Sequence, residues 1–229
     1  MKKWICCLLL INSIGGAVHA QTAEELVTQL RQKVALVNDY EAQGRMKTNV
    51  SFIKAPEADV KVFFKKPNKL RIRNATGISF IPKGSLNINL GSIFDNSGNY
   101  DIIDVGKESG SGLRIVKLLP QDENAEVVLS TLYIDEKLVL IKKAKVTTRE
   151  SGTYELQMTY GRYASYGLAD KVVFTFNTKD YKLPKGVTLD YDDGSGKNKP
   201  ATPQEKKGSV EISYSEYKIN KGVADSVFE

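Results

Sequence analysis

Residues 127–148, VVLSTLYIDEKLVLIKKAKVTT, decide the fold. Two runs rich in β-branched and aromatic residues, 127–134 and 138–148, flank the polar turn Asp135-Glu136-Lys137, so both read as strands. Strand periodicity sets Val128, Leu132 and Ile134 on one face of the first run, and Val127, Leu129 and Tyr133 on the other. Both faces are thus expected to be apolar, unlike a sheet with one wet side. Such a sheet closes into a filled barrel, is covered by helices, or lines a cavity.

The same grammar extends outward. Val60, Val62 and Phe64 share a face opposite Lys61 and Lys65. Pro67-Asn68-Lys69 turns the chain into Leu70 and Ile72, which alternate with Arg71 and Arg73, and this reads as a hairpin. Residues 41–53 are polar and extended, and further strands are expected over 100–105, 113–119, 154–160, 172–177, 187–191 and 210–217. Turn residues at 150–152 and 180–182 separate them, and no internal repeat is visible. About ten strands in sequential order with short links predict an antiparallel meander. Two segments depart from this. Residues 77–94 are apolar without a clean period and suit either a lid or short helix over the sheet, or a buried connection. Residues 194–208, GSGKNKPATPQEKKG, read as a loop between the last two strands.

One good helix is expected. Thr22-Ala-Glu-Glu25 is a capping box, and Leu26, Leu30, Val34 and Val37 follow on one face up to a stop at Asn38-Asp39. One helix is little cover for so many strands, which favours ligand space beneath the sheet.

Before that helix, residues 1–20 read as a secretory signal. Lys2 and Lys3 precede the apolar run 4–11, and Ala17-Val18-His19-Ala20 is a small-residue cleavage site ending at Ala20. Cleavage there would leave residues 21–229 as a single domain and lower the net charge from +6 to +4. It would also remove Cys6, Cys7, His19 and Trp4, the only cysteines, histidine and tryptophan of the chain. Cys6 and Cys7 lie inside the apolar run, too early for a lipid-modified N-terminus. The periplasm is the expected compartment, nucleic acid is not an expected partner, and the dispersed lysines read as solvated strand faces.

A mature chain without thiol or imidazole has no Cys–His or Ser–His–Asp chemistry and no ordinary zinc site. Among carboxylates, Asp101 and Asp104 are three apart on a strand and face opposite ways. Asp190, Asp192 and Asp193 faintly resemble a calcium loop, but its closing glutamate position holds Ala201. Tyr160, Tyr163 and Tyr166 could stack on a sugar, rim an apolar pocket, or pack at the surface. No enzyme activity, cofactor or metal is expected.

The order of parts resembles the periplasmic outer-membrane lipoprotein carriers, the LolA-like superfamily. The resemblance rests on the capped first helix and on the polar strand Tyr40-Glu-Ala-Gln-Gly-Arg-Met-Lys47. It continues in the strand–Pro–strand unit Val62-Phe-Phe-Lys-Lys-Pro67-Asn-Lys-Leu70-Arg71 and in Gly112-Leu-Arg-Ile-Val-Lys-Leu-Leu-Pro120. Leu129-Ser-Thr-Leu-Tyr-Ile-Asp135, Ala144 through Leu156, and Leu183-Pro184 complete it. It implies an α+β, mainly antiparallel fold: an unclosed half-barrel of about ten to eleven strands with an N-terminal helix and a short helical or irregular lid. It implies a monomer carrying lipoprotein acyl chains from an inner-membrane donor to an outer-membrane acceptor. It also implies that Arg71 helps hold the lid shut.

The expected lipid-contacting residues are Phe64 and Leu132 on strands, with Ile78, Phe80, Ile81, Leu86, Ile88, Leu90, Ile93 and Phe94 of segment 77–94. Each methylene removed from water is worth about 0.8 kcal/mol, so a sixteen-carbon chain represents about 12 kcal/mol that an aqueous carrier must match. Alternative readings are a lipid-binding or envelope-stress sensor on the same fold, and a structural or glycan-binding envelope protein.

Overall fold

A computed structural model describes residues 21–49, 57–67, 69–74, 93, 99–150, 152–177 and 207–228. Helix α1 spans Ala23–Ala35, and its capping box forms as predicted. Thr22 Oγ1 accepts the Glu25 N–H, and Glu25 Oε2 accepts the Thr22 N–H, both at 3.1 Å. Leu26, Val27 and Leu30 are buried, each contributing about 1.5–3 kcal/mol relative to exposure. The helix stops at Ala35, short of the expected Asn38-Asp39 boundary. The reason is tertiary. Lys66 Nζ donates to the Ala35 carbonyl at 2.7 Å, and the Asn220 amide donates to the Leu36 carbonyl at 2.8 Å and accepts the Asn38 N–H at 2.7 Å. Val37 stays buried although it lies beyond the helix.

The strands are β1 (Asp39–Asn49), β2 (Ala58–Lys65), β3 (Lys69–Asn74), β4 (Tyr100–Lys107) and β5 (Arg114–Pro120), then β6 (Val127–Asp135), β7 (Leu140–Thr148), β8 (Gly152–Thr159), β9 (Lys171–Asn177) and β10 (Lys207–Ile219). They form one antiparallel, unclosed sheet in the order β3-β2-β1-β10-β9-β8-β7-β6-β5-β4, a half-barrel with α1 on its inner face. The expected simple meander is therefore corrected. Turn residues specify only neighbours in sequence, whereas the β1–β10 pairing joins the two ends of the chain through ten residue pairs. Residues 187–191, an expected strand, lie outside the described residues. The expected loop 194–208 ends earlier, because Lys207 and Gly208 already belong to β10.

The expectation of two apolar faces is also corrected. The inner face buries Val116, Leu118, Leu132, Ile134, Ala144 and Val146. The ladder places Lys117, Thr131, Lys145, Glu155 and Thr175 together on the outer face, half-buried or exposed. Val128 does not join Leu132: a bulge between Val127 and Leu129 leaves Val128 exposed, turns Val127 onto the core, and gives Ser130 the buried place. Tyr133 lies outward with the Lys143 ammonium 3.9 Å from its ring centre.

A second bulge shapes the inner face. Gln43 and Gly44 oppose Glu216 and Tyr214, which leaves Ser215 unpaired. Tyr214 and Tyr217, at odd separation, thereby face inward together. Gly44 is required there, since a Cβ would lie 2.7 Å from the Ser213 carbonyl oxygen.

The C-terminal turn Asp225–Val227 packs on the opposite side of β2 and β3. Asp225 accepts from Lys65 Nζ at 2.8 Å and Lys69 Nζ at 2.7 Å, and these hydrogen bonds lower its carboxyl pKa from 3.8 to about 2. Arg73 donates to the Val227 carbonyl at 3.0 Å and lies over the Phe63 ring.

Two outcomes follow from these contacts. Asn220 has a positive φ of 55°, which glycine tolerates, so Asn220→Gly removes the side chain alone. It should cost about 1–2 kcal/mol in a urea melt, and unchanged stability would contradict its capping role. The depressed Asp225 carboxyl keeps its lysine contacts complete above about pH 4 and loses them as pH falls through about 2. NMR signals of 225–228 should move over that range, and Asp225→Asn should move them at neutral pH. A tail indifferent to D225N would refute the clamp.

Candidate ligand-binding site

The half-barrel is filled unevenly. Over β4 to β7, the inner-face residues Val116, Leu118, Leu132, Ile134, Ala144 and Val146 are fully buried in the core cluster that α1 joins. Over β1–β3 and β8–β10 a cavity of about 140 Å³ remains. Its floor is Val62 and Phe64 from β2, Leu70 and Ile72 from β3, Leu156 and Met158 from β8, Val172 and Phe174 from β9, and Val210 and Ile212 from β10. Val34 and Val37, at the end of α1, form one wall. The connection from β8 to β9 forms another, through Tyr166, Gly167, Leu168 and Ala169. Tyr40, Tyr214 and Tyr217 complete it. Every described lining residue is apolar, glycine or tyrosine, and none of them carries a formal charge. An engineered apolar cavity of about 150 Å³ admits a benzene ring, so this space takes a segment of hydrocarbon.

Local chemistry positions these walls. Gly167, with φ 69°, ends the short turn Ala164–Tyr166, and Tyr217 Oη ties the following segment down by donating to the Ala169 carbonyl at 2.7 Å. Arg162 donates to the Ser215 carbonyl, and the Tyr214 N–H donates to the Asp170 carbonyl at 2.7 Å, which locks the β8–β9 connection onto the β10 bulge. Burial raises the pKa of Tyr40, Tyr214 and Tyr217, which keeps all three phenols protonated.

The expected site residues separate in the structure. Phe64 lines the cavity. Leu132 and Ile93 are fully buried in the core and are not among the residues that line the cavity. Ile78, Phe80, Ile81, Leu86, Ile88, Leu90 and Phe94 lie outside the described residues. Arg71 pairs with Phe63 on the ladder, while Leu70 and Ile72 supply the cavity floor, so it lies on the opposite face of β3. There its Nη1 donates to the Phe228 carbonyl at 3.3 Å. The three tyrosines of the β8–β9 connection part company. Tyr160 Oη donates to the Ile141 carbonyl, Tyr163 packs edge-on against Tyr217, and Tyr166, 41 % exposed, rims the cavity. Asp104 pairs with Arg114, whereas Asp101 accepts from Gln121, so these carboxylates do not meet.

Sequence reading missed most of the cavity. Val172, Phe174, Val210 and Ile212 were legible as strand residues, but only the β1–β10 pairing brings β8–β10 beside β1–β3. Among the described residues no helix is long and apolar enough to cross a membrane.

Neither a family model nor a curated protein matches the chain. Solved structures do. A domain named for outer membrane lipoprotein sorting, from Vibrio parahaemolyticus, is 12% identical with a TM-score of 0.52, over 90% of this chain and 97% of that one. A DUF1329 family protein from Desulfovibrio piger is 15% identical with a TM-score of 0.54, over 90% and 95%. A LolA superfamily protein from Nitrosomonas europaea is 10% identical with a TM-score of 0.56, over 92% and 98%. At these identities the likeness is one of fold, and it extends over nearly the whole of each chain: this protein has a LolA-like fold.

Proposed function

We propose that this protein is a non-enzymatic periplasmic carrier that takes acyl chains of lipoproteins into its half-barrel and passes them toward the outer membrane. The observation that supports this most is the uncharged cavity on the inner face, held open between β1–β3, β8–β10 and the end of α1. A filled core of this composition would close such a gap, since protein interiors pack at crystal density. The fold neighbours add to it: one is named for lipoprotein sorting and one for the LolA superfamily.

Capacity constrains the mechanism. A cavity of about 140 Å³ accepts the end of a chain but not sixteen carbons at once. The chain enters at the Tyr166 rim, and further uptake displaces a wall. The α1 end and the β8–β9 connection are the walls that are not laddered strands, so further uptake breaks some of the hydrogen bonds that tie them to Lys66, Asn220 and β10. Transfer then needs no covalent step, only an acceptor with more apolar surface to offer. On this reading residues 1–20 are a signal peptide cleaved after Ala20, which delivers the chain to the space between two membranes.

Organic extraction of protein purified natively from its own cell envelope, followed by mass spectrometry, tests the reading. Acyl-bearing lipid or lipopeptide should be recovered in near-stoichiometric amount. Extracts free of any acyl species, from protein that also binds no added lipopeptide, would overturn it.

A further inference from the structure

The cavity has one polar end, where two of three phenol hydroxyls have no hydrogen-bond partner among the described residues. Tyr40, Tyr214 and Tyr217 cluster there, with ring centres 5.3 Å apart for Tyr40–Tyr217 and 5.0 Å for Tyr214–Tyr217. The Tyr217 hydroxyl is engaged by the Ala169 carbonyl. The Tyr40 and Tyr214 hydroxyls have no hydrogen-bond partner among the described residues, although Tyr40 is only 8 % exposed. A buried phenol ordinarily finds a partner for its O–H. Ser130 Oγ and Asp170 Oδ1 are described buried oxygens that lack both a partner and any accessible surface. Tyr40 Oη and Tyr214 Oη are not in that class, so each keeps some accessible surface, and the space their side chains line is the cavity.

We propose that Tyr40 and Tyr214 donate hydrogen bonds to the carbonyl oxygen of an ester- or amide-linked acyl chain, and so fix the depth and orientation of the chain in the cavity. This rests on the carrier reading and names the chemical group the carrier recognises. Both phenols stay protonated at any physiological pH, because burial opposes their ionisation and Tyr214 adds to the effect at Tyr40. They are therefore permanent donors, suited to a neutral acceptor with two lone pairs.

A free fatty acid fits less well. No lysine, arginine or histidine is among the described residues that line the cavity, so a carboxylate entering it would be desolvated without a counter-charge from them. Asp170 adds to this: its carboxylate lies close enough to Tyr217 to oppose negative charge at the cluster. An ester or amide carbonyl meets neither penalty. The arrangement thus discriminates in favour of chains still attached to a glyceride or an N-terminus, the form in which acyl groups occur on lipoproteins.

Isothermal titration of residues 21–229 with methyl octanoate, octane and octanoate at pH 8 tests this, on wild type, Tyr40→Phe, Tyr214→Phe and the double variant. These chains are short enough for the cavity, and octane affinity reports whether the cavity itself is intact in each variant. Wild type should bind the ester more tightly than the alkane, and octanoate most weakly. Each phenylalanine should lower the ester-over-alkane preference about 3–10-fold, and the double variant should nearly abolish it. Binding of ester and alkane with a preference unchanged in the double variant would overturn the role of the phenols while leaving the carrier reading intact. Octanoate binding as tight as the ester would overturn the selectivity argument. Wild type binding none of the three would instead count against the carrier reading.

Discussion

Asp39–Asn49 pairs with Lys207–Ile219 along almost the whole length of both strands, and Asn220 fixes the end of that ladder. One asparagine side chain takes the last free carbonyl region of α1 at Leu36 and the first N–H before β1 at Asn38, while its own N–H donates to the Asp39 carbonyl at 2.9 Å. The helix end, the first strand and the last strand are thereby joined at one corner. This junction fixes the end of α1, whose front is held by the burial of Leu26, Val27 and Leu30. With it, Val34 and Val37 are held over the inner face at a set height, which makes them a wall rather than a plug.

The unequal filling of the half-barrel follows from the same corner. The front of α1 buries Leu26, Val27 and Leu30 and contacts β4, so the described residues of that half pack together. The rear of the helix stops early, and the sheet beneath it is wider than the helix covers. The bulge at Ser215 then turns two tyrosines inward at the place where the gap remains. A continuous alternation along β10 would have sent either Tyr214 or Tyr217 outward. The outer face shows the opposite chemistry, with Lys, Thr and Glu on adjacent strands and the C-terminal turn clamped on β2 and β3 by Asp225. One sheet thus presents an apolar hollow inward and a hydrated surface outward.

The local parts of this were legible in sequence. The capping box, the hairpin about Pro67 and nearly all strand positions rest on short-range signals, namely the period of two and the residues that end it. What failed was non-local. The place of β10 between β1 and β9 has no local signature. The bulges at Val128 and Ser215 reverse which residues face inward, and a strict period of two cannot register them. Leu132 and Phe64, equally apolar in sequence, are separated by strand order, which puts β6 away from the cavity and β2 beside it. Arg71, chosen by resemblance, lies on the far face with the C-terminal tail. The cavity tyrosines were visible only as ordinary strand aromatics until pairing brought them together.

The central claim is that the gap between the end of α1 and strands β1–β3 and β8–β10 is where an acyl chain goes. Titration of a diacylated lipopeptide into protein carrying 13C-labelled Ile, Leu and Val methyls, followed by NMR, tests it most directly. The account predicts large shifts at Val62, Leu156, Val172, Val210 and Ile212, and small ones at Val116, Leu118 and Leu132. Shifts confined to the outer-face methyls, or no shifts at saturating lipopeptide, would contradict it.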